Sequence, residues 1–282
     1  MPNKITVENA GKAIGKISPI KAKLAPRYPS LEFDRLKLFF GDPLTIDVEG
    51  ARGTVTVKSP TLGDIVQIGE SRFYSILTIF VGNPTQFRLM LWEAGIDWCE
   101  TSDFQMFMYM YKELRDQEVI DLLFDGIDFT SFEPYSRARD DGTEEIYLYD
   151  ETTDTEITEL VYQYFHQYLQ NVFNMKPERE VTPDKMLKEA WIHKDQVELK
   201  QKAKKGESSS FSFVPLISTY INHPGTKHSL QELREVGVAE FFDSLKRIQV
   251  YENATAVLKG MYSGFVNSKD IDPSTYDFMK DI

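Results

Sequence analysis

Ile157-Thr158-Glu159-Leu160-Val161-Tyr162-Gln163-Tyr164-Phe165-His166-Gln167-Tyr168-Leu169-Gln170-Asn171-Val172-Phe173 decides the fold class. Ile157, Leu160, Val161, Tyr164, Phe165, Tyr168, Leu169, Val172 and Phe173 recur at spacings of three and four, which puts them on one broad helical stripe. Gln163, His166, Gln167 and Gln170 fall on the other side and are expected to face away. The pattern predicts a helix over about 154–174 that needs other helices to cover its apolar face.

Upstream, the same period recurs. Pro60-Thr61-Leu62 opens a helix with Thr61 as cap and Asp64 three residues on, and Ile65, Ile68, Phe73, Ile76, Leu77 and Phe80 carry its apolar positions. Gly82-Asn83-Pro84 ends that helix and starts a second, from Asn83 to about Glu93. A third starts near Ser102 or Asp103, breaks near Asp116 and resumes through Phe124. Short β-like runs frame these helices. Leu36–Phe40, Leu44–Val48 and Thr54–Val57 read as strands near the N-terminus. Ile127–Phe132 and Tyr135–Arg137, then Asp140-Asp141-Gly142 and Ile146–Tyr149, read as extended chain and a β-hairpin inserted between helical regions.

Downstream, a polar helix is predicted from Thr182-Pro183-Asp184 to Lys205, exposed or half-docked. Gly206–Ser210 reads as a linker, and residues 211–282 add helices over Phe211–Asn222, Ser229–Glu235 and Val238–Leu258, the last broken at Gly260. The expected fold is mainly α with small β elements (α+β): a helical bundle core, a short N-terminal β region and an inserted β-hairpin. The expected organisation is a basic arm over 1–30, a helical domain over 31–205 with its hairpin near 127–150, and a C-terminal helical region on the same core.

Charge is unevenly spread. The net charge is −12, which argues against general nucleic-acid binding, since phosphate needs clustered Lys and Arg. Residues 1–30 nonetheless hold Lys4, Lys12, Lys16, Lys21, Lys23 and Arg27 against Glu8, while 140–159 holds nine acids and no base. The two runs are either solvated surface or complementary patches, within one molecule or between copies. Homo-oligomer formation stays open. No apolar run is long enough to span a bilayer, and the N-terminus has no apolar signal core, so a cytosolic protein with no membrane partner is expected.

Catalytic motifs are missing. The four histidines form no HExxH, and no GxxxxGK[ST], GxGxxG or GxSxG occurs. His223 and His228 flank a Pro-Gly turn, and lone Cys99 sits among acids that oppose a reactive thiolate. No enzyme, cofactor or metal is expected. The aromatic surplus (19 Phe and 14 Tyr) and the Met-rich segment Phe104–Tyr111 leave two options, core or an adaptable binding surface. As a groove for a helical partner, the residues expected to line it are Phe104, Phe107, Met108, Tyr111, Tyr164 and Tyr168.

Several phrases share an order with known proteins: Ser59-Pro60-Thr61-Leu62-Gly63-Asp64-Ile65 into Gly69-Glu70, Leu91–Trp98, and Asp103-Phe104 to Phe107. Further on come Val214–Ser218 with Asn222-His223-Pro224-Gly225, Phe241–Ser244 with Arg247-Ile248-Gln249, and Gly260–Gly264. Over roughly residues 58–282 the chain resembles poorly characterised tail-module proteins of tailed phages infecting Gram-positive bacteria. The resemblance implies virion tail assembly, as a chaperone-like factor binding the tape-measure or tube protein, or as a minor virion tail component. It places the chain in the cytoplasm of the infected host cell or in the virion. It transfers no catalytic residue and does not extend to the basic arm or the acidic hairpin. The alternative is an acidic host-directed inhibitor that mimics nucleic-acid charge, with Glu144, Glu145, Asp150 and Glu151 as its carboxylates.

Overall fold

Side chains that cap backbone ends set most of the element boundaries. The computed structural model describes residues 29–139, 142–205, 212–226, 228–265, 267, 269 and 271–280, together with the backbone of Asn3–Lys4. Most of the basic arm, the hairpin tip at Asp140-Asp141 and the linker 206–210 lie outside the described residues.

Leu36–Phe40, expected as a strand, is instead the helix α1 (Arg35–Phe39). Asp34 Oδ1 accepts from Leu36 N at 3.0 Å and Lys37 N at 3.2 Å, a cap that an apolar-run reading overlooks. The expected β pair follows as β2 (Leu44–Ile46) and β3 (Val55–Val57), antiparallel with Thr45 opposite Thr56. Thr61 and Asp64 form a reciprocal capping box that opens α2 (Leu62–Ile68). The single helix expected to Phe80 is split there. Gly69 has φ +100°, a conformation that ends α2 and lets α3 (Glu70–Val81) leave in a new direction.

The helix expected from Asn83 shortens to α4 (Arg88–Glu93), because Asn83 Oδ1 accepts from Thr85 N at 2.9 Å and holds 84–87 in turns. Ser102 and Gln105 cap α5 (Asp103–Met110), and Asp116 caps α6 (Gln117–Leu123). The stretch 127–132 is turned rather than extended, with Asp128 Oδ1 accepting from Thr130 N at 2.8 Å.

The hairpin is β4 (Glu133–Ala138) and β5 (Glu144–Asp150). Strand β6 (Thr155–Ile157) was read as helix; Asp154 at φ +50° reverses the chain and pairs β6 back on β5. With Asn3–Lys4 as β1, the order is β1-β4-β5-β6, all antiparallel. The helix that decides the fold, α7 (Glu159–Val172), starts only after Thr158 caps it. Helices α8 (Lys185–Lys205), α9 (Val214–Asn222) and α10 (Val238–Tyr262) complete the chain, and α10 runs straight through Gly260 where a break was expected. The fold is therefore mainly α with two small antiparallel sheets.

One aromatic core joins these elements. Phe80 on α3 stands 4.9 Å from Phe124, 5.2 Å from Phe129 and 6.0 Å from Phe165, while Phe107 stands 5.0 Å from Tyr162. Rings at these separations and tilts add attraction beyond their buried area. Phe213, Tyr220, Leu233 and Phe241 from the C-terminal region enter the same core. Paired backbone bonds, Leu62 N to Val236 O at 3.0 Å and Val238 N to Pro60 O at 3.1 Å, tie the starts of α2 and α10 together.

Candidate partner-binding surface

The six residues expected to line a groove are placed mostly inside. Phe104, Phe107, Met108, Tyr111 and Tyr168 are buried in the main core, and Tyr164 is half-buried against it. Phe107 is enclosed by Phe80, Phe129, Tyr162 and Phe165. Tyr168 packs on Phe33 and donates its hydroxyl to Asp42 O at 2.9 Å. The expected groove residues are interior, because α3, α7 and the turn before β4 pack on the α5 stripe. The rings are consumed by packing.

Helix α7 also departs from its expected two-sided pattern. Gln163 and His166, assigned to the outer face, are buried, and so is Tyr162. The reason lies at the end of α3, whose last carbonyls have no partner within their own helix. His166 Nδ1 lies 2.6 Å from Phe80 O, so Nδ1 carries the proton and donates. Gln170 Nε2 donates to Val81 O at 2.9 Å and to His166 Nε2 at 2.9 Å. Burial lowers the imidazole pKa from the ordinary 6.5, with Asp103, 4.0 Å from Nε2, and the Phe80 carbonyl pulling the other way. Arg179 holds Asp103 Oδ1 at 3.0 Å and also donates to Thr101 O. The cluster is saturated by structural bonds; it latches α3, α5 and α7 together.

A second, smaller core lies under α8 and holds all three tryptophans. Leu91, Trp98, Cys99 and Ile192 form it, with Trp92 and Trp191 packed against it. Arg88 Nε and Nη2 reach Asp195 at 2.5 and 2.7 Å, and its remaining Nη1 donates to Glu180. Lys188 pairs with Asp97 beside it. These bonds dock the first half of α8. From Val197 to Lys204 every residue of the helix is exposed, so its second half extends free of the body. Cys99 is buried, accepts from Thr182 N at 3.5 Å, and has its thiol pKa raised chiefly by burial. It is a packing residue.

The polar groups weighed for chemistry are scattered. His223 Nε2 meets Glu252 at 3.0 Å, whereas His228 Nδ1 meets the Tyr220 hydroxyl at 2.8 Å. Among the described residues, no three or more His, Cys, Asp or Glu converge as metal ligands. In the acidic block, Arg137 and Arg139 hold Glu145 at 2.6 and 2.9 Å, and Arg137 and Arg52 hold Glu156 at 2.9 and 3.5 Å. Asp150 accepts from Thr152 N and the Thr153 hydroxyl. Much of that charge is engaged within the molecule.

What does face solvent is a set of large apolar side chains near the end of the chain. Tyr262, Phe265 and Met279 are 87%, 91% and 80% exposed, and Tyr251 and Phe278 are half-open with their rings 6.5 Å apart. Arg247 Nη1 donates to Phe278 O at 3.2 Å and Lys280 O at 2.7 Å, which fastens the terminal segment along α10. Helix α1, with exposed Leu36 on it and exposed Phe40 as its C-cap, also packs on α10. Sequence periodicity missed this surface. The one available signal was aromatic residues set beside Gly260, Ser263 and Gly264, where no helical stripe could bury them.

Comparison with protein families, curated proteins and solved structures finds no match. Among the described residues no helix is long and apolar enough to cross a membrane.

Proposed function

We propose that this chain is a tail-assembly protein of a tailed phage that works by binding other tail proteins. In one form it is a chaperone-like factor that holds the tape-measure or tube protein until polymerisation; in the other it stays as a minor virion component. The resemblance over roughly residues 58–282 supplies the biological setting. The observation that carries a protein-binding role is the open apolar surface of Tyr251, Tyr262, Phe265, Phe278 and Met279 along α10 and the terminal segment. Exposed Tyr251 and Tyr262 on α10, with Phe265, Phe278 and Met279 on the segment after it, suit docking against an amphipathic helix, which offers apolar anchors at three- and four-residue spacing. The interior residues Phe104, Phe107, Met108, Tyr111 and Tyr168 take no part.

Co-expression with the tape-measure and tube proteins of the same genome tests the proposal. A complex that survives size exclusion is expected, and the double variant Tyr262→Asp, Phe265→Asp should weaken it about ten-fold or more without unfolding the chain. Absence of any complex ends the proposal. Mass spectrometry of purified particles separates the two forms, since a chaperone leaves before maturation and a virion component remains.

A further inference from the structure

Helix α8 is docked by one side of its first half. Lys188, Trp191, Ile192 and Asp195 turn towards the body, where they meet Asp97, the Trp98 core and Arg88. Met186, Ala190, His193, Val197, Lys200 and Lys204 recur at alternating spacings of four and three. At 3.6 residues per turn they draw one straight stripe, half a turn away from the docked side. All six are exposed, Met186 at 79%. The stripe runs from the docked half into the free one.

Each half lacks what the other offers. A helical segment as short as 197–204 is marginal in water by itself, because ordering its backbone outweighs its few hydrogen bonds. The first half is fixed by the Arg88–Asp195 fork and turns Met186 and Ala190 outward. Two copies of α8 laid antiparallel meet both needs, since the free half of each then rests on the docked half of the other. Ala190 opposite His193 of the second copy puts Met186 opposite Val197, so the stripe stays in step, and the small Ala190 lets the two axes come close.

Charge selects the same arrangement. Over 176–189, Arg179 and Lys188 are turned inward on Asp103 and Asp97. The outward groups there are Glu178, Glu180, Asp184 and Glu189 against Lys176 and Lys185. Over 194–204 they are Lys194, Lys200, Lys202 and Lys204 against Glu198. An antiparallel pair lays the basic end over the acidic one, whereas a parallel pair stacks lysine on lysine.

We infer that the outer stripe of α8 is a self-association surface on which a second copy of this chain docks its own α8, antiparallel. The tail-assembly proposal rests on the α10 surface instead, so either can fail alone.

Light scattering of the intact chain from micromolar to near-millimolar concentration should show a monomer passing to a dimer. The variant Ala190→Glu, Val197→Glu should weaken the dimer about ten-fold or more, with tryptophan emission, which reports the docked half, unchanged. Cysteine pairing reads the register. Under mild oxidation the full-length variant Met186→Cys, Val197→Cys should form disulfide-linked dimers. Positions 186 and 197 of one helix are about 16 Å apart and cannot join within a chain. Val197→Cys alone should form none, because the two copies of that position lie equally far apart in the antiparallel pair. A chain that stays monomeric throughout overturns the inference, as does a dimer indifferent to the double Glu variant or a disulfide formed by Val197→Cys alone. Protease protection of 197–204 that appears only with the tape-measure or tube protein also overturns it, because the stripe then belongs to that partner.

Discussion

The imidazole of His166 shows how one buried side chain couples stability to pH. Its folded pKa lies below the ordinary 6.5, with burial the leading cause. The unfolded chain therefore takes up this proton first as pH falls. The contribution is complete above about pH 6.5 and is lost as the pH drops from there towards the folded value. Urea midpoints should be level on the alkaline side of that point and decline on the acid side. His166→Gln should flatten this decline and lower stability by about 1–3 kcal/mol, by disturbing the bond to Phe80 O. An unchanged pH slope in the variant would assign the decline to carboxylates instead. Gly53 makes a second case at this scale. It sits at φ +68°, and a Cβ there would meet Thr155 Oγ1 at 2.8 Å and Asp154 O at 2.9 Å. Gly53→Ala should destabilise by about 2–4 kcal/mol, the sum of left-handed strain and overpacking, measured by thermal or urea unfolding.

At the scale of elements, α8 is a helix with two fates. Its first half is held by Ile192, Trp191 and the forked Arg88–Asp195 pair, while residues 197–204 of its second half are exposed. Arg88→Lys keeps the charge and loses the fork, so it should cost about 1–3 kcal/mol at this joint. The three tryptophans report directly: undocking of α8 should red-shift their emission and open 185–205 to proteases while the main core stays folded. Helical period alone could not distinguish the halves. The polar composition of α8 pointed to half-docking, but which half docks depends on Arg88 and Trp98, far away in sequence. Elsewhere local chemistry was readable where caps were strong: Thr61 with Asp64, and Ser102, mark helix starts, whereas the helix that Thr158 caps was expected to begin at about residue 154. It was misread at Leu36–Phe40 and at Thr155–Ile157. There a single carboxylate cap and a single residue of positive φ outweighed the apolar pattern.

The whole molecule is organised around phenylalanine. Phe107 touches rings from α3, α7 and the turns before β4, so Phe107→Ala should lower unfolding free energy by about 3–5 kcal/mol through the cavity it leaves. Calorimetry checks this, and any partner affinity measured on folded variant should be unaffected. A variant of normal stability with lost binding would return Phe107 to a surface role. The exposed counterpart is the α10 surface, where Tyr262 and Phe265 should behave in the opposite way.

Composition and periodicity by themselves determined that the chain is mainly helical, that α7 is its central apolar element, and that a short β pair and a hairpin accompany the helices. These follow from backbone geometry and side-chain spacing, which act over a few residues. Tertiary structure alone decided which aromatic rings are inside. A stripe such as Phe104–Tyr111 looks the same whether it is covered by its own chain or by another, and burial depends on elements distant in sequence, such as the α3, α7 and C-terminal segments that close the core.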